Sequence, residues 1–206
     1  MTDIALQNGT SGQPPATAIL SLLGSRSIVL VGMMGVGKSS IGRRLAARLG
    51  VPFVDADSEI EKAACMSIAD IFARNGEAYF RNGEARVIGR LLDGGPQVLA
   101  TGGGAVMNAD TRAAIKAKGV SIWLSAELEV LMRRINKRKD DRPMLQTADP
   151  AATLRELLVV REPVYAQADL TVQSREVPHD AIVAEIMTAL AAFLNAPDSP
   201  QPEAGA

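Results

Sequence analysis

Ser27-Ile28-Val29-Leu30-Val31-Gly32-Met33-Met34-Gly35-Val36-Gly37-Lys38-Ser39 decides the fold. Ile28 to Val31 form a continuous apolar run, the pattern of a strand buried on both faces. Gly32 to Ser39 fits G-x-x-x-x-G-K-[ST]. Beyond it Ile41, Leu45 and Leu49 recur at helical spacing, and Gly50 ends that helix. The order is therefore strand, glycine-rich loop, helix. In that context the glycines let the backbone curl and turn its N–H groups toward phosphate oxygens. Lys38 supplies a point charge for the β- and γ-phosphates, and the Ser39 hydroxyl is a ligand for Mg²⁺. The bland alternative, a glycine-rich turn with an incidental lysine, leaves the flanking strand and helix unexplained.

Working outward, strands and helices alternate. Pro52-Phe53-Val54 reads as a short strand ending in Asp55. Ser58 with Glu61, and Ser67 with Asp70, resemble capping boxes that open two helical pieces. Phe80, Glu84, Val87, Ile88 and Leu91 mark another helix, and Gln97 to Ala100 a strand running into Gly102-Gly103-Gly104. A helix from about Asp110 to Lys118 precedes the strand Val120–Leu124, after which Ser125 is positioned to cap the next helix. Asp149-Pro150 opens a further helix, Pro150 suiting its first position. Leu170 to Val172 is the last strand, and Ile182, Val183, Ile186, Leu190 and Leu194 line a closing helix. Five strands separated by helices imply an α/β fold, three layers with a parallel sheet between helices. Ligands of such sheets sit beyond the carboxyl ends of the strands.

The composition narrows the classes. The 206 residues are 47% hydrophobic, with 22 basic and 23 acidic side chains, enough for one domain and no strong net charge. Neither nucleic acid nor a membrane surface is called for as a partner. The single cysteine, Cys65, reads as mid-helix; it allows no internal disulfide and fits a cytoplasmic location. Residues 1–25, rich in Thr, Ser, Gly, Gln and Pro, read as a disordered leader, 26–195 as the folded domain and 196–206 as a disordered tail.

Three nucleotide-binding classes fit the loop. A GTPase needs N-K-x-D after a strand; Asn136-Lys137-Arg138-Lys139-Asp140 is one residue too long and follows a helix. A motor or transporter ATPase carries an acidic strand end, whereas Val98-Leu99-Ala100 leads into Thr101 and three glycines. A small-metabolite kinase needs a second pocket, and the chain offers one. Asp55 and Asp57 follow a strand with one residue between them, so alternation along an extended segment turns both carboxylates one way. One suits Mg²⁺ and the other a substrate hydroxyl; the lesser alternative is that the pair caps the helix near Ser58, a task Asp57 could share. Arg81 stands at a helix start, Arg161 at a helix end before Pro163, and Arg142 before Pro143. Arginine forks suit carboxylate or phosphate, although most lone arginines are solvated.

Gly32–Ser40, Asp55-Ala56-Asp57, Ile68-Ala69-Asp70-Ile71-Phe72, Phe80-Arg81 with Glu84, Gly102–Gly104 with Ala105-Val106, Arg142-Pro143-Met144-Leu145 and Arg161-Glu162-Pro163-Val164-Tyr165 together resemble the shikimate kinase family over about residues 26–195. The resemblance implies a nucleoside monophosphate kinase-like fold with sheet order 2-3-1-4-5. It implies phosphoryl transfer from ATP to shikimate, giving ADP and shikimate 3-phosphate. Gly35, Val36, Gly37, Lys38, Ser39 and Ser40 become the nucleotide-binding candidates, with Arg134 and Pro178 flanking adenine. Ser39 and Asp55 are the Mg²⁺ candidates. Asp57 is implied as the holder of the shikimate hydroxyls. Arg81 and Arg161 are implied as the carboxylate clamp, Gly103 and Gly104 as backbone partners, and Phe72 and Phe80 as walls. Lys38, Asp57 and Arg142 are the catalytic candidates, Arg142 on a lid at about 136–147. The sequence departs from the family at Asn82, where a second arginine is common, and at Glu176. A monomer is expected. A gluconate-type kinase and a nucleotide-binding module without catalysis are the competing readings.

Overall fold

The computed structural model describes residues 14–137 and 149–196. Five strands, β1 (Ser27–Val31), β2 (Phe53–Asp55), β3 (Val98–Ala100), β4 (Gly119–Ser125) and β5 (Leu170–Gln173), form one parallel sheet in the order β2-β3-β1-β4-β5. The order is the one implied by the resemblance. β1 lies centrally with all five residues buried, as its apolar run requires. Its register places Leu30 level with Ala100, and Ala100 level with Asp55. The chain thus leaves β1, β2 and β3 at one height, and their following loops meet at one edge.

Helices flank the sheet. α2 (Lys38–Leu49) packs on β1, β2 and β3, and against α8 (His179–Leu194), which covers β5. α5 (Ala109–Lys118) packs on β4 and against α4 (Ile68–Leu92). α3 (Ala56–Ala64) joins α4 through a small apolar cluster of Ile60, Ile71 and Phe80, apart from the main core around the sheet. α6 (Leu128–Lys137) and α7 (Pro150–Tyr165) lie either side of residues 138–148 in the chain. Two caps fall where the sequence puts them: Ser67 Oγ accepts the Asp70 N–H at 3.1 Å, and Asp149 accepts the Ala152 N–H at 2.9 Å. No helix among the described residues is long and apolar enough to cross a membrane.

Several expectations need correction. The leader expected through residue 25 contains α1 (Ala16–Leu23), whose Ile19 and Leu23 are fully buried in the main core. The apolar run Ile19-Leu20 and Leu22-Leu23 was averaged with the polar stretch 1–15 that precedes it. Arg26 secures the helix end by donating to the carbonyls of Leu23 at 3.1 Å and Leu22 at 2.9 Å. Residues 1–13 of the expected leader and 197–206 of the expected tail lie outside the described residues. α3 is capped by Asp55 rather than opened at Ser58, so Asp57 already stands in its first turn. Cys65 is the exposed C-cap of α3, with φ 50°, not a mid-helix residue. α6 starts at Leu128, beyond the reach of a Ser125 cap. Arg161 lies inside α7, which continues past Pro163 to Tyr165. The proline removes the N–H that Val159 would otherwise receive, and Val159 is 71% exposed, so water reaches that turn.

Candidate active site

The loop after β1 is held from within. Gly32 has φ 132°, and a Cβ there would stand 2.5 Å from the Leu124 carbonyl oxygen. Gly37 caps α2 with φ 105°. Both demand glycine. Lys38 opens α2 and lies back across the loop, its Nζ donating to the carbonyls of Gly32 at 2.7 Å and Met33 at 3.0 Å. Ser39 Oγ donates to Asp55 Oδ2 at 2.7 Å, while Asp55 Oδ1 accepts the Asp57 N–H at 3.2 Å. The two aspartates are thus not equivalent, as alternation along a strand suggested. The strand ends at Asp55, and the helical turn sends Asp57 elsewhere. A hydroxyl and a carboxylate are hard-oxygen groups of the kind that Mg²⁺ takes. Among the described residues no group of three or more His, Cys, Asp or Glu forms a metal cluster.

Where Asp57 goes is fixed by the three glycines after β3. A Cβ on Gly102 would lie 2.9 Å from Asp57 Oδ1 and 2.7 Å from Glu84 Oε1. On Gly104 it would meet Arg81 Nη2 at 2.6 Å, and on Gly103 Arg161 Nη1 and the Met34 N–H, each at 3.4 Å. Three consecutive residues therefore touch all three candidate substrate ligands and the phosphate loop. The residues that converge come from α3, α4, α7 and the loop after β1.

Arg81 is fixed by its own helix. It donates to Glu84 at 2.7 Å and to Glu77 at 3.2 Å, the i+3 and i+4 spacings seen between helical turns. Glu84 is 1% exposed, and its Oε1 has no hydrogen-bond partner among the described residues. Burial pushes the Glu84 carboxyl above its usual range; Arg81 opposes this, the Asp57 charge adds to it and Arg161 opposes it. Arg161 is 5% exposed, and Tyr165, one turn on, donates its hydroxyl to the Gly103 carbonyl. Burial raises the Tyr165 pKa against the pull of Arg161. Trp123 on β4 lies 6.0 Å from the Tyr165 ring, centroid to centroid. Phe72 and Phe80 stand 4.7 Å apart, and the Arg81 guanidinium sits over Phe80 at 5.1 Å.

On the far side of the loop, Arg134 donates to the Val36 carbonyl at 2.9 Å, Ser174 Oγ at 2.8 Å and the Arg175 carbonyl at 2.8 Å. Pro178 caps α8, and Glu176 pairs with Arg133. The Ser40 carbonyl accepts from Arg44 at 2.9 Å. Arg142 and the expected lid beyond Lys137 lie outside the described residues. Glu84, Tyr165 and Ser174 received no role from the sequence. Only Glu84 carried a local signal, its i+3 spacing from Arg81.

The shikimate kinase family model matches residues 34–191. The chain belongs to the shikimate kinase family. A shikimate kinase of Bradyrhizobium diazoefficiens is 63% identical over 204 residues, 99% of this chain and 97% of that protein. A shikimate kinase from Acinetobacter baumannii, solved in complex with shikimate, superposes with TM-score 0.80 at 35% identity, covering 86% of this chain and 98% of that one. A gluconokinase from Sinorhizobium meliloti, TM-score 0.56 at 21% identity over 82% of this chain and 94% of its own, shares the fold alone. Shikimate kinase resemblance in the sequence and family membership in the comparison agree. Beside the phosphate loop stands a second group of polar side chains, with Arg161 and Glu84 buried, Arg81 half-buried and Asp57 exposed.

Proposed function

We propose that this chain transfers the γ-phosphoryl group of ATP to the 3-hydroxyl of shikimate, giving ADP and shikimate 3-phosphate, a step toward chorismate and the aromatic amino acids. The observation that carries the reading is the convergence of Asp57, Arg81 and Arg161 on Gly102–Gly104 beside the phosphate loop. Shikimate has one carboxylate and three hydroxyls, and two arginine forks with one aspartate match that inventory. Arg81 and Arg161 take the carboxylate, with backbone N–H groups at Gly103 and Gly104 alongside. Asp57 orients the hydroxyls. Lys38 leaves the carbonyls of Gly32 and Met33 for the phosphates, and Arg142 closes from the lid. Arg134 and Pro178 flank the adenine.

The hydroxyl oxygen forms its bond to the γ-phosphorus as the bond to the ADP oxygen breaks. Phosphoryl transfer of this kind is loose, so alignment carries most of the rate and the proton leaves late. Asp57 is the acceptor placed for that proton. Ser39 and Asp55 would hold Mg²⁺, which neutralises phosphate charge when bound. The enzyme acts as a monomer in the cytoplasm.

The test is ADP release by purified protein with Mg²⁺-ATP. Turnover that depends on shikimate and is absent with gluconate is expected. Turnover with gluconate alone would favour the competing kinase reading. ATP binding with no turnover on either compound would favour the non-catalytic one.

A further inference from the structure

The Val36 carbonyl accepts from Ser174 Oγ at 2.7 Å and from Arg134 Nη1 at 2.9 Å, while the same Nη1 donates to Ser174 Oγ at 2.8 Å. The three groups close a triangle with every donor used in a sensible direction: the serine hydroxyl gives one bond and receives one, and the two Nη1 hydrogens split between carbonyl and hydroxyl. Ser174 is 2% exposed, and its own N–H is fixed to the Ser125 carbonyl at 2.7 Å. Arg134 Nη2 reaches on to the Arg175 carbonyl at 2.8 Å. One hub therefore joins the phosphate loop to the chain after β5, which leads through Glu176 to Pro178.

The consequence follows from peptide geometry. The Val36 carbonyl and the Gly37 N–H belong to one planar trans unit and point in opposite directions. Holding the carbonyl on Ser174 holds the Gly37 N–H away from β5. A loop whose glycines allow many backbone orientations is thereby limited to one at this peptide. Ser174 follows β5 at one edge of the sheet and Asp57 follows β2 at the other, so its effect is expected in the donor half of the site.

We propose that Ser174 is a positioning residue for the nucleotide phosphates, acting through the Val36–Gly37 peptide and tying the base-side turn at Arg175–Pro178 to the phosphate loop. This rests on the reading of Gly32–Ser39 as the phosphate cradle. The inference concerns a residue that never touches substrate, so the test must separate phosphate from base. Tripolyphosphate, which has no base, serves as the probe. Its dissociation constant and that of ADP are measured calorimetrically on the full chain with Mg²⁺, for the wild type, Ser174→Ala and Lys38→Ala, together with the shikimate dissociation constant of Ser174→Ala.

Ser174→Ala is expected to weaken tripolyphosphate and ADP by a similar factor, about tenfold, with shikimate affinity unchanged. Ser174→Thr, which keeps the hydroxyl, is expected to bind both within about threefold of wild type. Should the alanine variant not fold, Ser174→Cys gives the same comparison, the thiol being a weaker donor. Weakening of ADP with unchanged tripolyphosphate would overturn the proposal, because Ser174 would then act on the base. An equal loss of shikimate affinity would overturn it as well, because the role would be general. Tripolyphosphate binding that Lys38→Ala leaves intact would instead defeat the cradle reading itself.

Discussion

The two halves of the site are built differently. The phosphate loop is one contiguous stretch, Gly32 to Ser39, shaped by its own glycines and by Lys38 bonding back to Gly32 and Met33, with Ser174 and Arg134 tying it down at the Val36 carbonyl. The acceptor half draws Asp57, Arg81 and Arg161 from three helices onto three glycines. The first half is local and rests on backbone. The second is tertiary and rests on side chains that hold one another. Donor binding should therefore respond to changes in a short segment and at its tie to Ser174, while acceptor binding should respond to changes anywhere in a network of charges.

Lys38→Ala gives the largest expected effect. It removes the charge beside the phosphates, and kcat should fall by about 10³-fold with the shikimate KM little changed. Steady-state kinetics in both substrates checks this. A loss confined to shikimate KM would break the division between halves.

Arg161→Ala comes next. Loss of one fork of the clamp should raise the shikimate KM by about 10²-fold, while the ATP KM stays within about twofold. Arg161→Lys should recover only part of it, because lysine presents no planar fork. An unchanged shikimate KM would remove Arg161 from the clamp.

Gly104→Ala tests the steric side of the network. The new methyl group would stand 2.6 Å from Arg81 Nη2 and displace a guanidinium that Glu84 and Glu77 hold. The shikimate KM is expected to rise about tenfold with the protein still folded by circular dichroism. Equal kinetics to wild type would mean that Arg81 can shift at no cost.

Glu84→Gln carries the smallest effect and the sharpest signature. Burial raises the Glu84 carboxyl above its usual range. Between the ordinary carboxylate value and that raised one, the folded chain keeps a proton that the unfolded chain has released. Stability should therefore fall as pH rises through this window. Glutamine has no proton to lose, so the variant's urea midpoint should be flatter over the same pH range. A slope identical to wild type would show that Glu84 does not titrate there.

What the sequence made legible follows the same division. The strand, loop and first helix around Gly32–Ser39 could be read locally, because β1 is apolar on both faces and the glycines have fixed tasks. Arg81 and Arg161 carried no pattern of their own, and only family resemblance set them apart from solvated side chains, whereas Asp57 stood out by its spacing from Asp55. The extended alternation inferred for Asp55 and Asp57 failed because the Asp55 side chain starts a helix one residue later. α1 was overlooked because its own apolar residues, Ile19, Leu20, Leu22 and Leu23, were read together with the polar stretch before them. Tyr165 and Ser174 act on carbonyls 62 and 138 positions away in sequence, a relation no local window contains.

The ring contact between Trp123 and Tyr165 has an optical consequence. Trp123 is the sole tryptophan, and its neighbour Tyr165 is bonded to the carbonyl of Gly103. The indole therefore stands two residues' contact from the middle of the acceptor pocket, with no other emitter of its kind to dilute its signal. The same ring lies beside Gly32 of the phosphate loop, so filling either half of the site should register in its fluorescence and the unaltered protein carries its own probe for both.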